Sequence, residues 1–366
     1  MKQSTANQRT EKVVGTVAVV GIDLAKNVFS LHGADASGRV VLKQTVSRAK
    51  LAEFMAKLPP CRIGMEACGG AHHWARVFGR AGHQVRIMAA QFVQPYRKAG
   101  KNDSNDAEAV CEALTRPTMR FVPVKTEDQQ AVMSLHRVRQ GFVEERTATI
   151  NRLRGLLSEF GVVLPQSPNK VRRLVPELIG ADTTSEFPIV LQGALRDLYQ
   201  HLCLLDARVI EYDRRIIALM EQDPRAQRIQ AVNGIGPLTA SAALATVGDA
   251  TVYRNGRQFA ASIGLTPRQT STGGKPRLGR ITKQGDAYLR TLLIQGARST
   301  LNTAHRRQDP LSRWIVDTHK RIGYYKTLVA IANKHARILW ALLARNEDFD
   351  LKRYGQRPMT SAPGIH

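Results

Sequence analysis

The chain has 366 residues, enough for two or three domains, and 43% of them are apolar, enough for real cores. Against 54 Lys and Arg stand only 30 Asp and Glu, a net charge of +24 with pI near 10.5. Such an excess repels itself unless a polyanion offsets it, so nucleic acid is the first partner to consider. A membrane role is excluded because no apolar run reaches the ~18 residues a span requires. The stretch Val13 to Ile22 is too short, and it leads into Asp23 and Lys26 without the small-residue pattern of a leader peptide.

Four scattered cysteines, Cys61, Cys68, Cys111 and Cys203, suit reduced thiols in the cytosol. A zinc site from Cys61, Cys68, His72 and His73 lacks a close Cys pair and is set aside.

In chain order, residues 1–15 are polar and expected to be disordered. From Thr16 the pattern predicts three antiparallel strands, the last being Arg39 to Val46, and then a helix capped by Ser47. Arg62–Glu66 reads as a short strand, His72 to Ala81 as a helix, and Gln84 to Met88 as another strand. This alternation suggests a mixed α/β layer. Helix propensity rises from Asp106, with Asp103 as its N-cap, so the two carboxylates share one face.

Residues 126–222 change character. Apolar residues at helical spacing (Leu135, Val138, Phe142, then Ile150, Leu153, Leu156, Leu157) form one run, and Leu191 to Met220 forms a second. A proline-bearing link from Pro165 to Pro188, with a short helix in it, joins them, which predicts an antiparallel helical hairpin or coiled-coil spacer. Gly234-Ile-Gly236 opens a third, mostly helical region, 223–345. It resembles a helix-hairpin-helix element that offers backbone N–H groups to phosphate; a plain helix-helix turn fits as well. Within this region Pro267 and the pair Gly273-Gly274 interrupt regular structure, so Ser271 and Thr272 are expected on a turn or loop among cations. Three helices follow, over 286–297, 311–321 and 326–344, and residues 346–366 form a loose tail.

In so basic a chain, carboxylates at strand ends are informative. Asp23 closes Gly-Ile-Asp, Glu66 closes Gly-Met-Glu, and Asp103 and Asp106 open a helix. Four acids from three elements can converge on hard cations such as Mg²⁺, and paired ions about 3.5–4 Å apart serve phosphodiester chemistry. Each acid alone also fits a structural role, as a turn, an ion pair or a cap.

These residues match a family pattern. Gly21-Ile-Asp23 with Lys26, Glu66-Ala67 followed by Gly69, and Lys101-Asn-Asp103-x-x-Asp106-Ala107 resemble the RuvC-like (RNase H-like) half of one group of bacterial transposases. Gly264-Leu-x-Pro267 with its Ser/Thr-Gly stretch, Gly279-Arg-Ile-x-Lys283-x-Gly285 and Leu289-Arg290 resemble the C-terminal half. The group is insertion-sequence family 110, and the Ser-Thr-Gly-Gly-Lys wording is similar to its 1111 subgroup. The resemblance covers about residues 16–345.

It implies an α/β RuvC-like domain over 16–125, the helical spacer, and a serine transposase domain over 223–345. It further implies DNA cleavage and rejoining through a serine covalently joined to phosphate, with Asp23, Glu66, Asp103 and Asp106 binding Mg²⁺ beside it. Dimers or tetramers are implied, with the acidic domain of one subunit facing the serine domain of another, and so is guidance by an element-encoded non-coding RNA. Ser271 is the favoured nucleophile, because a primary hydroxyl reaches phosphorus with less crowding than a β-branched one; Thr272, directly before the glycine, stays open. The expected nucleic-acid contacts are Gly234, Gly236, Arg268, Lys275, Arg277, Arg280, Lys283, Arg290, Lys326 and Lys334. Two other functions fit the same residues: a metal-dependent nuclease for four-way junctions, with water as attacker, and a non-catalytic nucleic-acid-binding protein.

Overall fold

A computed structural model describes residues 16–98, 103–179, 187–273 and 275–352, with Lys275 described by its backbone alone. The expectations for residues 1–15, Lys101-Asn102, Gly274, the side chain of Lys275 and the tail beyond 352 lie outside the described residues. The chain divides into two compact units, residues 1–126 and 127–366.

In the first unit, β1 (Val19–Asp23), β2 (Val28–Ala34) and β3 (Val40–Ser47) form an antiparallel meander. After α1 (Arg48–Ala56), β4 (Arg62–Glu66) pairs parallel with β1. After α2 (Ala71–Arg80), β5 (Gln84–Met88) pairs parallel with β4. The short helix α3 (Ala90–Val93), a 3₁₀ turn over Gln94–Tyr96 and α4 (Asp103–Leu114) lead to a brief last strand, β6 (Phe121–Val122). The sheet order is β3-β2-β1-β4-β5-β6, a mixed sheet.

Side-chain alternation sends successive strand residues to opposite faces. Val20, Ile22, Ile63 and Met65 therefore pack with Leu51, Met55, Trp74 and Phe78 of α1 and α2, while Val19 and Met88 pack with Val110, Cys111 and Leu114 of α4 on the other face. Helix α4 lies close to that face because Gly21 and Gly64 carry no side chain there. A Cβ on Gly21 would collide with the Ala107 carbonyl and the Cys111 backbone nitrogen, and one on Gly64 would crowd Val110 and Leu114.

The second unit opens with two 33-residue helices, α5 (Glu127–Glu159) and α7 (Ile189–Glu221), with α6 (Pro168–Ile179) in the link between them. Arg139 pairs with Asp213 and Arg146 with Asp206, so one helix descends as the other rises: an antiparallel pair, as the sequence predicts. The buried face of α5 differs in part from the expected one. Ile150, Leu153 and Leu157 are buried, but in its first half Met133 and His136 go inside while Val138 is exposed.

The remainder is largely helical: α8 (Pro224–Gln230), α9 (Pro237–Val247), a 3₁₀ turn over Ala250–Val252, α10 (Gly256–Ser262), α11 (Ala287–Ala304), α12 (Pro310–Ile322) and α13 (Tyr324–Arg345). They enclose one apolar core that includes Phe259, Leu289, Leu293, Ile315 and Leu339. Inserted between α10 and α11 are two strands, β7 (Pro267–Thr272) and β8 (Lys275–Ile281), paired antiparallel. This corrects the expectation of a turn or loop at Ser271. Thr272 pairs with Lys275 of β8, and Gly273 has φ +58°, so the strands continue to either side of the glycine pair instead of ending before it. Pro267 is the first strand residue, where a missing N–H is tolerated.

Candidate active site

Asp23 is the last residue of β1 and Glu66 the last of β4, two neighbouring parallel strands. Each acid lies two residues beyond a glycine, so by alternation each shares its glycine's face, the face under α4. Helix α4 supplies Asp103 and Asp106 from its first turn, where helix-end partial charge favours carboxylates. Asp103 is itself helical, not a cap ahead of the helix. Ligand oxygens of Asp23, Asp103 and Asp106 all lie within 4.8 Å of one another. Glu66 joins them through a cation: Arg97, just past the 3₁₀ turn, places Nη2 2.8 Å from Glu66 Oε2 and Nε 3.0 Å from Asp106 Oδ1. Burial, then the charges of Asp106, Asp103 and Glu66, raise the carboxyl of Asp23 above its ordinary range, with Arg97 opposing.

Three of the four expected acids, Asp23, Asp103 and Asp106, lie together, and Glu66 is tied to Asp106 through Arg97. Arg97 itself escaped the sequence reading, because its partners are 31 and 9 residues away on different elements. The two glycines were visible as a repeated Gly-x-acid ending on β-rich segments. Oxygen ligands at this spacing, in excess over the one cation that pairs with them among the described residues, suit a hard divalent ion. Among the described residues this is the one group of three or more such ligands, and it includes none of Cys61, Cys68, His72 or His73.

In the second unit, the candidate hydroxyls stand on the hairpin, where every residue of β7 is exposed. Alternation puts Ser271 on the face of Gln269 and Thr272 on the opposite face with Thr270. Gln269 Nε2 donates a 3.0 Å hydrogen bond to Ser271 Oγ, occupying an acceptor site and leaving the O–H proton available. The hairpin's base is firmly held. Arg290 Nη1 donates to the carbonyls of Ile263 (3.0 Å) and Gln284 (2.8 Å), and Asn333 donates to that of Leu265 (3.2 Å). At Gly285, φ is +69°, and a Cβ would strike the Ser262 carbonyl.

The expected cations separate into two groups. Arg268, Arg277, Arg280, Lys283 and Lys326 are exposed. Arg290 spends one guanidinium nitrogen on the hairpin base, and Lys334 is 92% buried, its ammonium 4.8 Å from the centre of the Trp314 ring. Gly236 is exposed at the start of α9, whereas Gly234 (φ +87°) faces Gly296 and Thr300 of α11, so packing by itself requires a glycine there.

Comparison with known proteins accounts for the order of these parts. Residues 20–162 match a transposase family model named for its DEDD residues and for IS110, and residues 226–311 match the "Transposase IS116/IS110/IS902 family". A "Probable family 20 transposase" of Pseudomonas aeruginosa is 49% identical over 326 residues, 89% of this chain and 96% of the relative. The chain belongs to the IS110 family of transposases. The "Transposase for insertion sequence element IS1328" of Yersinia enterocolitica is 41% identical over 91% of this chain and 98% of its own. The "Transposase for insertion sequence element IS1111A" of Coxiella burnetii is 39% identical over 91% of each. An IS110-family transposase acts on DNA, in keeping with the surplus of 24 positive charges. Among the described residues no helix is long and apolar enough to cross a membrane.

Proposed function

We propose that this transposase cuts and rejoins DNA by transferring a phosphodiester to Ser271 and back. Asp23, Glu66, Asp103 and Asp106, on an RNase H-like (RuvC-like) sheet, would hold Mg²⁺ for the same reaction. The observation that carries this reading is the clustering of carboxylates from β1 and α4, with Glu66 of β4 joined to Asp106 through Arg97, in a transposase that also displays Ser271 on an exposed hairpin.

In the forward step Ser271 Oγ forms a bond to phosphorus and loses its proton, while the leaving oxygen of the DNA sugar takes one up. One phosphoester replaces another, so rejoining consumes no nucleotide. A divalent cation bound at the acids supplies Lewis-acid stabilisation of the charge developing on the phosphate. The chain's own cations do the rest: Arg268, Arg277, Arg280 and Lys283, exposed on or just after the hairpin, offset phosphate charge, with Lys326 as an outlying contact. Arg290 and Lys334 support the hairpin base and the α12–α13 packing. Gly236 offers a backbone approach at the α9 start, and Gly234 sets the turn that presents it. The family resemblance further supports an element-encoded guide RNA and a dimer or tetramer acting in the bacterial cytoplasm, with residues 16–125, 126–222 and 223–345 as its acidic domain, spacer and serine domain.

The test is recombination between element-end and target DNA, with a denaturing gel for strand cleavage. Ser271→Ala and Asp23→Asn are each expected to abolish joining, and Thr272→Ala to retain it. Cleavage surviving in Ser271→Ala, with strands hydrolysed instead of joined, would favour a water-using junction nuclease. Undiminished recombination by Asp23→Asn would remove the acids from the chemistry altogether.

A further inference from the structure

We propose that Arg97 is the resident counter-ion of the acidic site: its guanidinium holds Glu66 and Asp106 together when no cation is bound, and a divalent cation must displace it to claim both carboxylates. This rests on the reading of the four acids as a cation site. The geometry is specific. A guanidinium edge ordinarily meets one carboxylate with two parallel bonds. Here Nε and Nη2 are divided between Asp106 on α4 and Glu66 on β4, so one side chain cross-links the helix to the sheet at the point where the acids meet. The neighbouring residue shows the contrast. Lys98 pairs with Glu108, outside the four acids, at 2.6 Å, an ordinary one-to-one ion pair.

Charge and mobility both favour displacement. Among the described residues, four carboxylates against one guanidinium leave a formal charge of −3, a partial match that a divalent ion improves. Arg97 is not anchored in the core: its side chain is 39% exposed, and its backbone is extended (φ −71°, ψ 128°) just after a three-residue 3₁₀ turn. It can turn toward solvent without unpacking the sheet. Once displaced, it stands at the rim of the cation site as a forked donor suited to a phosphodiester oxygen of the DNA being cut. Arg97 thereby couples cation loading to substrate binding: the same group closes the empty site and, when released, contacts the phosphate.

Titration calorimetry of the full-length protein with MgCl₂ or MnCl₂, in the absence of DNA, tests this. Arg97→Gln keeps a hydrogen-bonding side chain but removes the charge. It is expected to bind the ion roughly threefold to thirtyfold more tightly than the unaltered protein, since two part-exposed ion pairs no longer have to be broken. Arg97→Lys, which retains the charge, is expected to stay near the unaltered affinity, and thermal unfolding of each variant verifies that it is folded. Unchanged or weaker ion binding by a folded Arg97→Gln protein would overturn the proposal, because a residue that merely positions ligands weakens the site when lost. Asp23→Asn separates this failure from that of the underlying reading. If it binds the ion as well as the unaltered protein does, the ion does not occupy the acids, and the cation-site reading falls along with the proposal.

Discussion

Two glycines and a few buried polar side chains determine most of what can be tested residue by residue. Gly21 lets α4 approach the sheet, and that approach brings Asp103 and Asp106 beside Asp23. Gly21→Ala drives a methyl into helix backbone that no rotamer change can relieve. It is expected to cost about 2–4 kcal/mol in urea unfolding and to weaken ion binding; a loss under about 1 kcal/mol would show that α4 can shift freely. Asp23 lies among like charges, so Asp23→Asn is expected to raise the melting temperature of the cation-free protein at neutral pH while removing activity. A lower melting temperature would show that the carboxylate supports the fold. Two buried histidines are expected to contribute to acid sensitivity. His136, bonded at 3.0 Å to both Tyr288 Oη and Ser241 Oγ, and the fully buried His335 are each pushed by burial down to about 4. Their folded values lie below the ordinary 6.5, so the stability they contribute is complete above pH 6.5 and is lost as pH falls toward 4, by roughly 3 kcal/mol for each. Replacing His136 with Gln should flatten this decline in unfolding midpoints measured from pH 7 to 4; parallel declines would assign the acid sensitivity to other groups. At this scale the positions of the acids, at two strand ends and a helix start, were legible in a basic chain, but each alone fitted a structural role equally and only the family pattern set the four together. Arg97 was one arginine among many, identified only by long-range pairing.

Among the elements, the hairpin differs most from its surroundings. A lone two-stranded ribbon is marginal in water, and this one buries none of its first strand. What holds it is its base, where Thr282 N–H bonds the Thr266 carbonyl at 2.9 Å and Arg290 bridges two carbonyls. Hydrogen exchange is therefore expected to be fast from Gln269 to Leu278, slow across α10 and α11, and slowed at the hairpin tip when DNA is added. Protection of the tip without DNA would contradict a base-anchored ribbon. Five of the six strands of the first unit were legible, since β-rich runs there end at glycine turns or acids; the two-residue β6 was not, because so short a strand is defined only by its pairing with β5. The hairpin was not, because Pro and Gly-Gly punctuate loops and tight β-turns alike, and only cross-strand pairing distinguishes them. The inner face of α5 was partly misread for a related reason: it is fixed by partners distant in sequence, Asp213 for Arg139 and Tyr288 for His136.

Taken whole, the molecule is a strongly basic DNA transposase, and its charge makes DNA binding a matter of counter-ion release. Replacing Arg277 and Arg280 together with Gln is expected to reduce the slope of log affinity against log salt by about 2. An unchanged slope would place the DNA elsewhere. The nucleic-acid class was legible from composition alone, and the division into an acidic part and a hydroxyl-bearing part from two motif sets in order. The central claim is that Ser271 becomes joined to DNA with the help of the four acids. It is tested most directly by trapping the protein on a nicked DNA that cannot be rejoined, digesting it, and locating the nucleotide adduct by mass spectrometry. The account expects the adduct on the Ser271 hydroxyl in the unaltered protein, requiring a divalent cation, and absent from Ser271→Ala and Asp23→Asn. Full cleavage with no adduct, or an adduct on Thr272 or any other residue, would contradict it.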